Sequence, residues 1–189
     1  MQSHRMPAAP CQDLNAPESK GGRLLVARPP RDAEAAAIRR FAQAGGRVIM
    51  VNQRDLPPAL TGGKQIRYTE DATEIVTMNI PEASVFAGIG EQDLAWFENG
   101  RSVPYAAYGR YSPDRLDPTL CALAETLQWH NYIAKPTDYD KLGGTPLFAL
   151  AVGDGEILIS SMRTDADAQD PVACRLTYNI LNWGPAPEN

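Results

Sequence analysis

The side chains that could do chemistry are few, and most of them gather in one part of the chain. His130 is one of only two histidines, the other being His4. It stands in "LAETLQWHNYIAKPTDYDK", with Glu125 before it and Asp138 and Asp140 after it. A histidine with an acid in reach can act as a general base, and two carboxyls about 5–10 Å apart can cleave a glycosidic bond. Neither arrangement is marked here by a recognisable spacing, and among 23 acidic residues some pair always falls close by chance. Cys121, in "PTLCALAE", has no flanking glycines to form a strained nucleophile elbow. Cys174 falls on the apolar side of a helical pattern and reads as a small buried hydrophobe. Gly153-Asp154-Gly155 could open a phosphate-cradling loop, but such loops need G-x-G-x-x-G or G-x-x-x-x-G-K-[ST] running into a helix. Gly155 runs instead into "EILISSM", which is β-branched and apolar, so the stretch reads as a hairpin. Asp154-Gly155 then suits the two positive φ angles of a type I′ turn.

Aromatic residues concentrate between positions 96 and 139: Trp96, Tyr105, Tyr108, Tyr111, Trp129, Tyr132 and Tyr139. Rings beside an amide or a carboxylate suit a sugar, and the same rings suit a protein interface or simply finish a core. The candidate contact set for an interface or a glycan is Trp96, Trp129, His130, Asn131, Tyr132, Asp138 and Tyr139, with "WHNYIAKPTDY" as the exposed loop.

Composition narrows the classes. With 189 residues the chain suits one domain and lacks room for a (β/α)8 barrel of about 250 residues. A formal net charge of -5 argues against a broad nucleic-acid surface, which needs clustered Lys and Arg. The runs "RPPRDAEAAAIRR" and "GRYSPDRLD" interleave their positive charge with acids and read as solvated faces. No apolar run approaches the roughly 20 residues that span a bilayer. "MQSHRMPAAPCQDLNAPESKGG" lacks the apolar centre of a signal peptide, which leaves localisation open. Three dispersed cysteines and two histidines give no metal-ligand pattern, so neither a metal nor another cofactor is expected.

The elements that must position these residues can be read from periodicity. Residues 1–22 read as a tail or linker, 23–184 as one α/β domain and 185–189 as a second tail. "GRLLVARP" is a buried-strand candidate. "RDAEAAAIRRFAQAGG" carries Ala37, Ile38, Phe41 and Ala44 on one stripe, with Asp32 as N-cap and Gly45-Gly46 as the stop. "RVIMVNQ" comes next as a second strand, which makes a parallel βαβ unit. Residues 54–74 read as a loop, "TEIVTMNI" as a strand and "GEQDLAWFENG" as a short helix. "RSVPYAAYGRY" and "CALAETLQWHNYIA" fit either strand or helix. "DAQDPVACRLTYNILNW" closes the chain as a helix with Asp170 at the N-cap, Pro171 at N1 and Val172, Leu176, Ile180 and Leu181 on one stripe. The expected architecture is a three-layer α/β domain: a mostly parallel sheet, an antiparallel hairpin at one edge and a C-terminal helix packing back.

Four segments, in order, resemble one family. They are "AIRRFAQAGGRVIMV", "SVFAGIGEQDLAWF", "TPLFALAVGDGEILISSMR" and "DPVACRLTYNILNW". Together they are similar to the flavodoxin-like, class I glutamine-amidotransferase-like domain appended to many glycoside hydrolases, of the β-galactosidase trimerisation kind. Amidotransferases of this class carry a Cys nucleophile on a strand-to-helix elbow. Here the stretches after "TEIVTMNI" and "SVFAGIGE" hold no Cys or Ser in a G-x-[CS]-x-G setting, so the resemblance implies the fold without that catalysis. The expected role is a non-catalytic accessory or assembly domain of a carbohydrate-active enzyme, docked on a catalytic glycosidase domain or on a symmetry mate. Two rival readings stand beside it. One is a divergent hydrolase using His130 with Asp138 or Asp140, or Cys121; the other is a carbohydrate-binding module.

Overall fold

The computed structural model describes residues 10, 22–70, 75–94, 106–114, 116–126, 144–164 and 170–184. Within them the chain runs β1 (Arg23–Val26), α1 (Asp32–Gln43), β2 (Arg47–Val51), α2 (Pro58–Thr61), β3 (Arg67–Thr69) and β4 (Val76–Met78). Two 3-10 turns come next, at Ser84–Phe86 and Glu91–Leu94, then β5 (Arg110–Ser112), β6 (Leu120–Thr126), β7 (Leu147–Val152), β8 (Gly155–Ser160) and α3 (Pro171–Leu181).

The fold is α/β around a mixed sheet of six strands in the order β1-β2-β8-β7-β6-β4. β1 pairs with β2 and β2 with β8 in parallel; β8–β7, β7–β6 and β6–β4 are antiparallel. The expectation of a mostly parallel sheet is therefore corrected to a mixed one. The β7–β8 hairpin also lies at the centre of the sheet rather than at an edge. Its near-continuous apolar sequence has this cause: both strands are covered on two faces, and five of the six residues of each are buried.

Alternation along the strands divides the core in two. Val48, Met50, Phe148, Leu150, Ile157 and Ile159 point to one face, where they meet Ala35, Ile38, Phe41 and Ala42 of α1 and Leu60 of α2. Ile49, Leu147, Ala149 and Leu158 point to the other, against Ala173, Leu176 and Ile180 of α3 and Val85 and Phe86 of the first 3-10 turn.

Local chemistry explains the helix ends, with some shifts from expectation. α1 begins one residue earlier than the Asp32 cap implied, because the Glu34 carboxylate accepts the Arg31 N–H at 2.9 Å and makes Arg31 the N-cap. Its buried stripe is Ala35, Ile38, Phe41 and Ala42, while Ala44 is exposed. α3 is capped as expected, the Asp170 carboxylate accepting from the N–H groups of Val172 and Ala173 at 2.8 and 2.9 Å. Cys174 is exposed on α3, not buried as its pattern suggested, because the buried face passes through Ala173, Leu176, Asn179 and Ile180. "GRLLVARP" gives an edge strand, with Leu25 49% exposed, rather than a buried one. The stretch 54–74, read as loop, contains α2 and the small strand β3, which pairs with β5. "CALAETLQWHNYIA" opens as strand β6, where cross-strand pairing with β4 and β7 settles the strand-or-helix ambiguity.

The hairpin turn differs from expectation too. Val152 pairs with Gly155, so the two turn residues are Gly153 and Asp154. Gly153 takes φ +62, and Asn52 is the one non-glycine residue with positive φ among the described residues. A single positive φ at the first turn position belongs to type II′, not type I′.

Candidate functional site

Open α/β sheets bind ligands outside the carboxyl ends of their parallel strands. At that end of this sheet, β2 runs into Asn52-Gln53 and β8 into Ser161-Met162-Arg163, and the two tails are stitched together. The Asn52 N–H donates to the Ser160 carbonyl at 2.8 Å. Asn52 holds φ +55, a left-handed conformation that asparagine tolerates better than most residues.

Gln53 is buried, 1% exposed. Its Nε2 donates to the carbonyls of Val26 and Val51 at 3.2 and 2.8 Å, tying the ends of β1 and β2 together. Its Oε1 meets no hydrogen-bond donor among the described residues. Its backbone carbonyl accepts the Tyr111 hydroxyl. Tyr111 is enclosed between Tyr68 and Phe148, with ring centroids 5.1 and 5.3 Å away, and burial raises its hydroxyl pKa well above the ordinary tyrosine value.

On the β8 side the Ser161 hydroxyl donates to the Gly109 carbonyl at 2.6 Å, and the Ser160 oxygen accepts the Met162 N–H at 3.2 Å. The N–H groups of Tyr108 and Arg163 donate to the carbonyls of Ser161 and Ala106 at 2.9 and 3.0 Å. The Arg163 guanidinium, itself buried, lies 5.1 Å from the centre of the Tyr108 ring, within the range of a cation–π contact. The chain from 106 to 112 is thereby strapped across the ends of β8 and β2. Its passage is close: a side chain at Gly109 would meet the Thr69 carbonyl and the Tyr68 hydroxyl at 2.5 Å.

Chemically, this cluster is a brace. The Ser160 and Ser161 hydroxyls are buried and engaged with backbone partners, which leaves neither presented to a substrate. Among the described residues no three or more His, Cys, Asp or Glu residues come together as a metal site, and no helix is long and apolar enough to cross a membrane.

The predicted contact residues Trp96, Trp129, His130, Asn131, Tyr132, Asp138 and Tyr139 lie outside the described residues, as do Tyr105 and Asp140. Their anchors are described. Thr126 ends β6, Gly144 stands three residues before β7, and both the N–H and the hydroxyl of Thr126 donate to the Gly144 carbonyl, at 3.0 and 3.2 Å. Ala106, the first described residue after 95–105, accepts the Arg163 N–H. Both contacts sit at the braced end. Glu125 is half-buried in β6 next to them. Cys121 is at the opposite end of β6, five residues or roughly 17 Å from Thr126. Partial burial, and then the nearby Glu156 charge, push its thiol pKa up, the reverse of an activated thiolate. Of the aromatics that suited a sugar, an interface or a core, Tyr108 belongs to the brace and Tyr111 to the core.

Sequence reasoning missed Gln53 and Arg163. The signal was available in their context, since each is a polar residue two or three positions past the end of an apolar strand, in "RVIMVNQ" and "EILISSMR".

Comparison with solved structures places this architecture among known ones. A ThuA-like protein from Bacteroides uniformis superposes with a TM-score of 0.52 at 13% identity, over 85% of this chain and 68% of that one. The two share a fold. A β-galactosidase from Rahnella sp. R3 matches at a TM-score of 0.44 and 15% identity, over 84% of this chain and 21% of its own. An exo-β-1,4-mannosidase from Opitutaceae bacterium strain TAV5 matches at 0.46 and 11%, over 87% of this chain and 26% of its own. The chain thus spans between a fifth and about a quarter of the length of those two glycosidases. No protein-family model matches the chain, and no curated protein does.

Proposed function

We propose that this chain is a non-catalytic accessory or assembly domain of a carbohydrate-active enzyme of the β-galactosidase kind, with a class I glutamine-amidotransferase-like fold. The observation that carries the reading is where the four family-like segments fall. "AIRRFAQAGGRVIMV" is the end of α1 and all of β2; "TPLFALAVGDGEILISSMR" is the central hairpin and its polar tail; "DPVACRLTYNILNW" is α3. "SVFAGIGEQDLAWF" opens with the 3-10 turn that packs on α3. They are neighbours in one frame, not scattered matches. The fold shared with a ThuA-like protein supports the same frame.

The engaged serines and the raised Cys121 thiol support a role without covalent catalysis. The partner in this reading is a catalytic glycosidase domain or a second copy of the chain, met through the aromatic residues of 96–139 named above. The test is activity of the isolated chain on a glutamine amide and on nitrophenyl glycosides. Turnover no faster than a heat-inactivated control is the expected result. An enzyme-like rate that a single substitution at His130 or Cys121 abolishes would overturn it.

A further inference from the structure

We draw no further inference here: the strongest candidate, the buried polar cluster of Gln53, Ser161 and Arg163 at the carboxyl ends of β2 and β8, belongs to the site already described, and nothing in the structure shows what would bind it.

Discussion

Gly155 faces the Ala42 carbonyl so closely that a β-carbon on it would lie far inside van der Waals contact with that oxygen, and with the oxygen of Gly46 as well. The hairpin is pressed onto the C-terminal end of α1, where the N–H groups of Asp154 and Glu156 also donate to the carbonyls of Gln43 and Gly46, each at 3.3 Å. Gly155 is therefore a glycine for reasons of space and not of φ. Because its neighbours are backbone, they have no rotamer by which to give way. Gly155→Ala should cost about 3 kcal/mol or more, the upper end of ordinary overpacking. Gly63 provides the control: it has φ +83 and open space around it, so Gly63→Ala carries only the left-handed penalty of about 1–2 kcal/mol. Urea unfolding of both variants decides the matter, and equal costs would refute the close-approach account.

Asn179 holds α3 to the turn after β4. Its Nδ2 donates to the carbonyls of Val85 and Ala87, both at 3.0 Å, from a site that is 7% exposed. Asn179→Ala strands two carbonyls and should cost about 1–3 kcal/mol. Asn179→Asp replaces the donor with an acceptor and should cost more. The order of the two melting temperatures is the readout, with the aspartate variant expected lower.

Tyr111→Phe keeps the ring between Tyr68 and Phe148 but deletes the hydroxyl that reaches the Gln53 carbonyl. The expected loss is about 1–2 kcal/mol. Amide hydrogen exchange at the ends of β1 and β2 should quicken in this variant if the hydroxyl braces the Gln53 corner. Unchanged exchange there would confine Tyr111 to packing.

Two surface carboxylates give the acid limb of stability a predictable shape. The Lys64 ammonium, followed by the Thr119 hydroxyl and N–H, lowers the Asp117 pKa from 3.8 to about 2. The Arg28 guanidinium, followed by the Arg31 N–H, lowers that of Glu34 from 4.5 to about 2. A depressed carboxylate pKa means that the unfolded chain binds protons first as pH falls. The contribution is therefore complete above about pH 4.5 and lost progressively toward pH 2. In the double variant Asp117→Asn, Glu34→Gln, stability should vary less steeply over that window. Parallel acid titrations of variant and parent would show otherwise if the pairs contribute nothing.

The assembly reading and the sugar-binding reading part at Trp129. Calorimetric titration with galactose and glucose oligosaccharides is expected to give no saturable heat for the parent chain. If it does give heat, and Trp129→Ala removes it, the chain is a binding module and the assembly reading gives way.

How much of this was legible in the sequence depended on the range of the interactions involved. β1–α1–β2 and α3 could be read because their signals are local: an apolar stripe, a Gly-Gly stop, an Asp-Pro start. The hairpin was legible for the same reason, although Asp154-Gly155 pointed one residue late, since pairing of Val152 with Gly155 is fixed by strand register and not by the turn dipeptide alone. The place of the hairpin in the sheet was not legible. It depends on β8 pairing with β2, more than a hundred positions away in the sequence, and no periodicity records a neighbour at that distance. The apolar pattern puts Cys174 inside, whereas the helix turns a narrow buried face and Ala173 beside it takes the inward position. Polarity after a strand normally announces a loop, whereas at Gln53 and Arg163 the next crossing of the chain seals the side chains in.

The central position of β7–β8 also has a consequence for biosynthesis. The β1–α1–β2 unit precedes the hairpin in the chain, and the open side of β2 finds its partner only when residues 155–160 have been made. Until then both edges of the nascent parallel pair are bare, and strand edges of this kind recruit other chains. A ribosome that stalls before the hairpin would leave a fragment with its helix formed and its sheet unfinished. Because the last of the described sheet strands closes the middle of the sheet, the exposed edge of β2 is covered only once β8 has been made.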